Sequence, residues 1–380
     1  MPEPVDILFL APGLGTGGTE RHLELLLPAL RSAGFNPRIW NAGEEGWAAS
    51  QLGRQGIPVE RFSPPVAARQ VHRLVRMVTS LVHLRPALVH SFLYGRHWLD
   101  ALACRLTGTP YVGSRRNLAH WRRGPVLRRE QWRDQVSAAI VAVSQGAAAV
   151  ARREGVDPER LAVIPNGVPV PDWSNGERAV LRQRARAEWG LQPGARVVGW
   201  VGSLKPVKDP LTLLEGFACR CAAQESDRLV LIGSGPLALQ LKTISAARGI
   251  AAQVILAGPK AAPDRWLPAF DLFALTSRAE GCSHALLEAM AAGLPVLATA
   301  VGGNREAVIP DETGQLVPPG DAAAVGRWIG RLLGQPEQRA ALGRAGRERV
   351  RQRYGVDRMV AAHAGLYRDL AQNRRRTHGT

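Results

Sequence analysis

The feature that most constrains this chain is the stretch DLFALTSRAEGCSHALLEAMAAGLPVLATAVGGNREA, which runs from Asp271 to Ala307. Its apolar beginning, Asp271 to Thr276, predicts a short buried strand. Ser283 is a candidate helix N-cap, and His284 to Ala292 predicts a helix that the following glycine ends. A second strand is predicted from Pro295 to Thr299. The stretch is therefore a strand–helix–strand unit of a parallel sheet.

The loop between the first strand and the helix predicts a ligand site. Open parallel sheets bind ligands beyond the carboxyl ends of their strands. Glu280 and Gly281 lie in this loop, and the first amides of the helix have no partners within it, so they can bind a phosphate. Glu288 lies further along the helix, where its carboxylate can accept hydrogen bonds from a ribose diol.

The two glutamates form an E-x7-E frame, which A-x-G-x-P-V-x-A-T and G-G-x-x-E follow. This pattern resembles the retaining nucleotide-sugar glycosyltransferases of group 1, family four. The resemblance implies an α/β GT-B fold, in which two Rossmann-like parallel-sheet domains face a central cleft. It also implies that Glu280 lies by the donor sugar and that Glu288 holds the ribose. Two surface glutamates on an ordinary helix are the alternative, which the surrounding pattern disfavours.

The length of 380 residues predicts two domains of ordinary size. The resemblance implies an acceptor-side domain at residues 1–168 and a nucleotide-sugar-binding domain at residues 196–355. Residues 169–195 are predicted to form the linker and the first helix of the second domain. Residues 356–380 are predicted to be a helix that crosses back onto the first domain and ends in a frayed basic tail.

The first predicted strand, Val5 to Ala11, opens into a glycine-rich loop from Gly13 to Gly18. The loop fits G-x-G-x-x-G, but a dinucleotide fold needs an acidic residue at the end of the second strand. Trp40 and Asn41 close that strand, so NAD is disfavoured. The family has G-G-x-E here, which implies that Gly17 and Gly18 let the backbone approach the transferred sugar or the acceptor. A tight turn that needs positive φ is compatible with both interpretations.

The second domain begins with a predicted strand from Arg196 to Val201 and a loop that resembles the family pattern G-R-L-x-x-x-K-G. The family's arginine and lysine bind the diphosphate, and Lys208 matches the lysine. Ser203 replaces the arginine and Asp209 replaces the glycine, and whether Lys205 compensates is left open. The resemblance assigns donor binding to Gly17, Gly18, Gly202, Ser203, Lys208, Gly233, Gly258, Glu280, Gly281, Cys282, Ser283 and Glu288.

Many family members have a histidine on the acceptor side after a strand of the form P-x-x-x-[ST]-x-H. Arg116 stands at that position here, and it could stabilise the departing phosphate or bind an anionic acceptor. His90 matches a different family histidine, and a structural histidine is an equal alternative. The acceptor-side candidates are His90, Arg115, Arg116 and Asn117. The catalytic candidates are Glu280, Lys208 and Arg116.

Cleavage of the anomeric bond places negative charge on the diphosphate, which cations and backbone amides stabilise. Lys208 and the helix that begins after Ser283 supply such groups. The resemblance implies retention of the anomeric configuration by front-side attack, with no metal and no cofactor. The donor, a UDP- or GDP-linked sugar, is a substrate.

The chain has 49 Lys and Arg against 32 Asp and Glu, a net charge of +17. Such a surface attracts phosphates, anionic lipid or nucleic acid. The run from Arg115 to Arg133 interleaves arginines with Trp121 and Trp132, which suggests an anionic membrane surface or a solvated basic helix. The sequence contains no recognised nucleic-acid motif, so nucleic acid is not a predicted partner. The expected location is the cytoplasm, with the inner face of the membrane as a candidate docking surface.

The resulting hypothesis is a retaining glycosyltransferase that moves a sugar to a glycan, a lipid-linked acceptor or another hydroxyl. Its expected setting is bacterial cell-surface polysaccharide or glycolipid synthesis. The alternatives are an epimerase or phosphorylase of the same fold and a basic nucleic-acid-binding protein. An epimerase is not expected to contain the E-x7-E frame, and the sequence shows no pyridoxal-linked lysine context for a phosphorylase.

Overall fold

The computed structural model describes residues 4–15, 17–62, 71–93, 98–118, 124–221 and 225–378. The chain divides into two units. Unit 1 comprises Met1–Gly167 together with Val356–Thr380, and unit 2 comprises Val168–Gly355. The division therefore falls one residue before the predicted end of the first domain, and residues 169–195 belong to unit 2.

Unit 1 contains a parallel sheet with helices in its connections. Its strands are β1 (Val5–Ala11), β2 (Phe35–Asn41), β3 (Val59–Arg61), β4 (Leu88–Ser91), β5 (Tyr111–Arg115), β6 (Ala139–Ala142) and β7 (Leu161–Val163). Its helices before the unit boundary are α1 (Gly18–Ser32), α2 (Trp47–Arg54), α3 (Val71–Leu84), α4 (Trp98–Leu106), α5 (Gly124–Val136) and α6 (Gln145–Arg153). The strand order is β3-β2-β1-β4-β5-β6-β7. Strand β1 has the predicted bounds, and its apolar run is buried because both faces of a parallel sheet are covered.

Unit 2 repeats this architecture. Its strands are β8 (Arg196–Val201), β9 (Asp227–Ile232), β10 (Val254–Gly258), β11 (Leu272–Leu275), β12 (Val296–Thr299) and β13 (Gln315–Val317). Its helices are α7 (Asn175–Glu188), α8 (Pro210–Cys221), α9 (Ala238–Ala247), α10 (His284–Ala291), α11 (Asn304–Ala307), α12 (Ala322–Gly334) and α13 (Pro336–Arg353). The strand order β10-β9-β8-β11-β12-β13 places β8 beside β11. The two Rossmann-like parallel sheets confirm the predicted fold class.

Local sequence signals account for the unit that contains the two glutamates. The Ser283 side chain caps α10 by accepting a hydrogen bond from the Leu286 amide at 3.4 Å. Gly293 follows the helix with φ 74°, a left-handed conformation that favours glycine. Strands β11 and β12 are fully buried and pair in parallel. The predicted strand–helix–strand unit is therefore confirmed. No predicted strand or helix end differs from the observed end by more than one residue.

The last helix, α14 (Val356–His378), corrects one prediction. It continues through the segment from Arg374 onward that was predicted to fray. Arg374 anchors this part of the helix, because its guanidinium donates to the carbonyl oxygens of Pro86 and Ala87 within unit 1. Tyr367 of the same helix is fully buried in the core of unit 1.

Candidate active site

Two loops meet at the carboxyl edge of the second sheet, because β8 and β11 are neighbouring parallel strands. The loop after β8 provides Lys208 and the loop after β11 provides Glu280. Lys208 Nζ lies 2.6 Å from Glu280 Oε1. The Ser277 hydroxyl donates to the same oxygen at 2.6 Å. The structure therefore brings together two of the three predicted catalytic residues.

The surroundings of this pair suit a charged reaction site. Glu280 is buried, with 7% of its surface exposed, whereas Lys208 is partly exposed. A buried carboxylate needs hydrogen-bond donors or a cation to offset the loss of water, and Ser277 and Lys208 supply both. The amino end of α10 follows directly after Glu280, with the predicted donor-side residues Gly281, Cys282 and Ser283.

Glu288, the second glutamate of the frame, is buried on α10 with 6% of its surface exposed. It is located on the same helix whose amino end lies beside Glu280. Its burial shows that it is not one of two surface glutamates, which was the alternative to a functional role. The ribose contact itself stays a prediction.

Close packing of backbone explains one predicted donor-side glycine, Gly233, and a second glycine of the same sheet edge, Gly303. A Cβ on Gly233 would lie 1.8 Å from the Gly202 carbonyl oxygen, and φ at Gly233 is 140°. A Cβ on Gly303 would lie 2.1 Å from the Gly281 carbonyl oxygen. Gly258 has φ 70° and open space around its missing Cβ, so only its backbone conformation favours glycine. These glycines allow the loops at the sheet edge to pack against one another.

Asp209 shows how this chain tolerates the departure from the family glycine. Its φ is 42°, a left-handed conformation that glycine adopts easily and that Asp tolerates better than most residues. Thr212 donates to the Asp209 carboxylate from its hydroxyl at 2.8 Å and from its amide at 3.3 Å. Thr276 donates to the Asp209 carbonyl at 2.8 Å. The sequence showed Asp209 only as a departure from the family glycine and did not predict these hydrogen bonds.

His90 is not positioned to bind an acceptor, which corrects its prediction. It is fully buried in unit 1, with Nδ1 2.5 Å from the Tyr367 hydroxyl and Nε2 2.8 Å from the Ser114 hydroxyl. Burial, and then the neighbouring His363 and Arg116, hold the pKa of His90 well below its usual range. His90 is therefore the structural histidine that the sequence left as an equal alternative.

Arg115 also differs from its prediction. It is buried at 2% exposure, and its guanidinium forms ion pairs with Glu130 at 3.4 Å, with Glu154 at 2.9 Å and with Asp134. A guanidinium enclosed by these carboxylates cannot reach an acceptor. The signal was present in the sequence, because Glu130 and Asp134 lie four residues apart on one face of α5.

The remaining acceptor-side candidates stay partly accessible at the end of β5. Arg116 Nη2 donates to Asn166 Oδ1 at 2.8 Å, and its guanidinium lies 5.4 Å from the centre of the Phe92 ring. Asn117 is half-buried beside it. Of the predicted donor-side residues in unit 1, Gly17 is exposed just before α1 and Gly18 is the first residue of that helix. The roles of these residues stay predictions.

The basic run from Arg115 to Arg133 is not a uniformly solvated helix. Arg133 is buried and pairs with Asp134 at 2.8 Å, and Trp132 packs edge-on against Trp98 at 5.4 Å. Arg128 and Arg129 are exposed, and residues 119–123 lie outside the described part of the chain. Both sequence interpretations, a membrane-binding surface and a solvated basic helix, therefore overlooked the residues of this run that are packed inside unit 1.

The buried histidines of unit 1 predict an acid-sensitive fold. Burial lowers the pKa of His363 to about 4. Between that value and about 6.5 the unfolded chain binds a proton that the folded unit does not, so stability falls as pH falls through this window. The loss of unfolding free energy from His363 alone is about 3 kcal/mol.

Urea unfolding at pH 7.5, 5.5 and 4.5 will measure this loss. His363→Phe is expected to flatten the pH dependence, and an unchanged slope would contradict the assignment.

Sequence families account for most of the chain. Residues 182–349 match the family described as glycosyl transferases group 1. Residues 16–170 match the family described as Glycosyltransferase Family 4. The first match covers the residues of the candidate active site, and the second covers most of unit 1.

Relatives with assigned activities are similar to half of this chain or more. A D-inositol 3-phosphate glycosyltransferase of Salinispora tropica is 30% identical over 325 residues, 77% of this chain and 67% of the relative. One of Segniliparus rotundus is 36% identical over 199 residues, 50% of this chain and 43% of the relative. This chain thus aligns with less than half of the Segniliparus rotundus relative and with two thirds of the Salinispora tropica relative.

Solved structures share the fold at lower identity. Anabaena Alr3699/HepE, crystallised in complex with UDP, superposes with a TM-score of 0.84 at 22% identity and covers 96% of this chain and 100% of that chain. WaaG, a glycosyltransferase involved in lipopolysaccharide biosynthesis, superposes with a TM-score of 0.75 at 16% identity over 95% of this chain and 99% of that chain. At these identities the likeness concerns the fold.

Proposed function

Because this chain belongs to the family 4-like glycosyltransferases of group 1, we propose that it transfers a sugar from a nucleoside diphosphate sugar to a hydroxyl acceptor. The observation that best supports the proposal is the Lys208–Glu280 pair, 2.6 Å apart at the carboxyl edge of the second sheet. Loss of the sugar leaves a diphosphate, whose growing charge needs a positioned cation. Lys208 is that cation, and the amino end of α10 adds backbone N–H groups.

In the proposed reaction the acceptor hydroxyl attacks the anomeric carbon from the side on which the diphosphate leaves. The departing phosphate oxygen takes up the hydroxyl proton, and the anomeric configuration is retained. Glu280 orients the donor sugar, because its carboxylate is fixed by Ser277 and Lys208. No metal ion and no cofactor take part.

UDP-sugars are the first donors to test, since HepE was crystallised with UDP. The relatives are named for an inositol 3-phosphate acceptor, which is a phosphorylated polyol. Arg116, half-buried at the edge of the first sheet, can bind an anionic acceptor of this kind. We therefore place the acceptor among phosphorylated or lipid-phosphate-linked hydroxyl compounds of bacterial surface glycan or glycolipid synthesis.

The test is a donor screen with UDP-, GDP- and ADP-sugars, first without and then with phosphorylated acceptors. Release of the nucleoside diphosphate identifies the donor, and full activity in EDTA is expected. NMR of the product from an α-linked donor is expected to show an α-linkage. A β-linked product or a strict Mg²⁺ requirement would refute the mechanism, and an epimerised free nucleotide sugar would show a different enzyme.

Glu288→Ala is expected to weaken nucleoside diphosphate binding by about 1.5–3 kcal/mol, because the ribose diol loses a charged hydrogen-bond acceptor. Calorimetry with UDP and with the 2′,3′-dideoxy analogue will measure the effect. The parent protein is expected to discriminate between these two ligands, and the variant is not. Unchanged affinity for UDP in a folded variant would remove Glu288 from the ribose.

We also propose that the protein docks on anionic membranes through α3. No helix among the described residues is long and apolar enough to cross a membrane. Val71, Val75 and Val82 on α3 are exposed at 74%, 54% and 56%. At about 100° per residue they form one stripe, and the helix contains no acidic residue. An exposed apolar stripe on a helix that contains Arg76 and no acidic residue suits an interfacial helix.

Val75→Gln with Val82→Gln is expected to reduce binding to vesicles that contain anionic phospholipid, measured by co-sedimentation at low salt. The binding itself is expected to be reversible and to fade as salt screens the basic residues. Val180→Gln with Leu239→Gln is the control, because these exposed apolar residues lie in unit 2. Equal binding by both double variants would contradict the assignment to α3.

A further inference from the structure

We propose that Arg278 is the second cation of the diphosphate site and replaces the arginine that the chain lacks at Ser203. This inference rests on the proposed function, because it concerns the same donor. The family places an arginine and a lysine on the diphosphate, and here only Lys208 matches that pair. Arg278 lies two residues before Glu280, in the loop that follows β11.

Backbone contacts hold the Arg278 loop against the Lys208 loop. The Arg278 amide donates to the Val207 carbonyl at 2.9 Å. The Thr276 hydroxyl donates to the Asp209 carbonyl at 2.8 Å. These bonds flank Lys208 on both sides in the sequence. Arg278 therefore emerges beside Lys208 at the carboxyl edge of the second sheet, where the proposed diphosphate lies.

The side chain of Arg278 is anchored at one end and open at the other. Its Nε donates to Asp209 Oδ2 at 2.9 Å, while 67% of the side chain is exposed. This contact uses Nε, so the N–H groups on both Nη atoms remain for a phosphate. An arginine fixed in this way loses less conformational entropy when it binds an oxyanion.

The anchoring carboxylate offsets only part of the charge of Arg278. Asp209 is buried and also accepts hydrogen bonds from the Thr212 hydroxyl and amide in the first turn of α8. The positive end of that helix and these donors stabilise the carboxylate. Arg278 therefore retains positive charge toward solvent, next to a lysine that Glu280 partly neutralises.

Lys205 is the alternative replacement, and the structure disfavours it. Its side chain is exposed at the start of a 3-10 turn, Pro206–Lys208. Among the described residues no side chain fixes its ammonium group, so binding a phosphate would cost its full rotamer freedom. Lysine is also a point charge, whereas a guanidinium can hold two phosphate oxygens at once.

The test separates phosphate binding from nucleoside binding. Calorimetry with UDP and NMR titration with uridine are compared for the parent and for Arg278→Gln, with GDP and guanosine as the second set. We expect Arg278→Gln to weaken nucleoside diphosphate binding ~10- to 100-fold and to leave nucleoside binding within ~2-fold of the parent. Arg278→Lys is expected to restore part of the loss.

Two matched controls and one positioning variant sharpen the result. Arg248→Gln removes an exposed arginine that pairs with Glu215 at 2.9 Å and follows the carboxyl end of α9, so no change is expected. Lys205→Gln is expected to matter far less than Arg278→Gln. Asp209→Asn keeps the residue shape and removes the anchoring charge, so it should weaken UDP less than Arg278→Gln does.

Equal losses for UDP and uridine in Arg278→Gln would overturn the proposal, because they would show a structural role. An unchanged UDP affinity in a variant that melts like the parent would also overturn it. A different result refutes the proposed function, namely a parent protein that binds neither UDP nor GDP. That result would also refute the inference about Arg278, because the inference concerns the same donor.

Discussion

Glu280→Gln and Lys208→Ala are each expected to lower turnover by ~10²–10³ while the protein stays folded. Removal of one preorganised charged contact from a reacting centre typically has this effect. Lys208→Ala is expected to lower the free energy of unfolding, because Glu280 is buried, but water can enter where the partly exposed Lys208 was and the Ser277 hydrogen bond remains. Glutamine preserves the shape of Glu280 and can still accept a hydrogen bond from Ser277.

The measurement is a steady-state assay with the donor that the screen identifies, beside a thermal melting curve. Lys242→Ala removes an exposed lysine of α9 and is the control for the loss of one surface charge. The double variant is expected to lose little more than the worse single variant, because residues that act as a unit are not additive. Full activity of either single variant would contradict its assigned role.

Arg115→Met is expected to destabilise unit 1 by about 3–5 kcal/mol. Removal of one partner of a buried ion pair leaves uncompensated charge in the interior. Glu130 and Asp134 are nearly inaccessible, and Glu154 is mostly buried. Burial already raises the pKa of Glu154, so the loss should shrink toward low pH as the Glu154 carboxyl takes up a proton.

Urea unfolding at pH 7.5 and pH 5 will measure the effect. Arg128→Met is the control, because Arg128 is exposed on the same helix α5, and it is expected to change stability by less than about 0.5 kcal/mol. The experiment also tests the correction to the acceptor side. A stable Arg115→Met protein with impaired transfer would restore Arg115 as an acceptor residue.

Local signals were sufficient for most of the fold. Apolar runs of strand length, glycines after them and the Ser283 cap predicted β1, β8 and the β11–α10–β12 unit. The signals for these elements are local, although the strands themselves pair with partners that are distant in sequence. The short strand β3 (Val59–Arg61) was missed, because it is largely exposed and has no apolar run.

Two consecutive arginines differ in burial and ion pairing, which local sequence signals could not predict. Arg115 and Arg116 are consecutive, but side chains alternate between the faces of a strand. One guanidinium is enclosed by carboxylates from α5 and by Glu154, and the other stays at the sheet edge. The structural role of His90 depends on its hydrogen bond with Tyr367, which is 277 residues away in the chain. No sequence window contains both partners.

The sequence by itself determined the parallel-sheet units, the E-x7-E frame and the candidate Lys208, because helix caps, glycine turns and motif spacing are local properties. Only the tertiary structure decided which charged residues are available for chemistry. Asp209 and Arg278 are 69 residues apart and meet because β8 and β11 are adjacent strands. Burial and ion pairing depend on such distant contacts, so the same arginine-rich sequence contains both structural pairs and the cations of the proposed site.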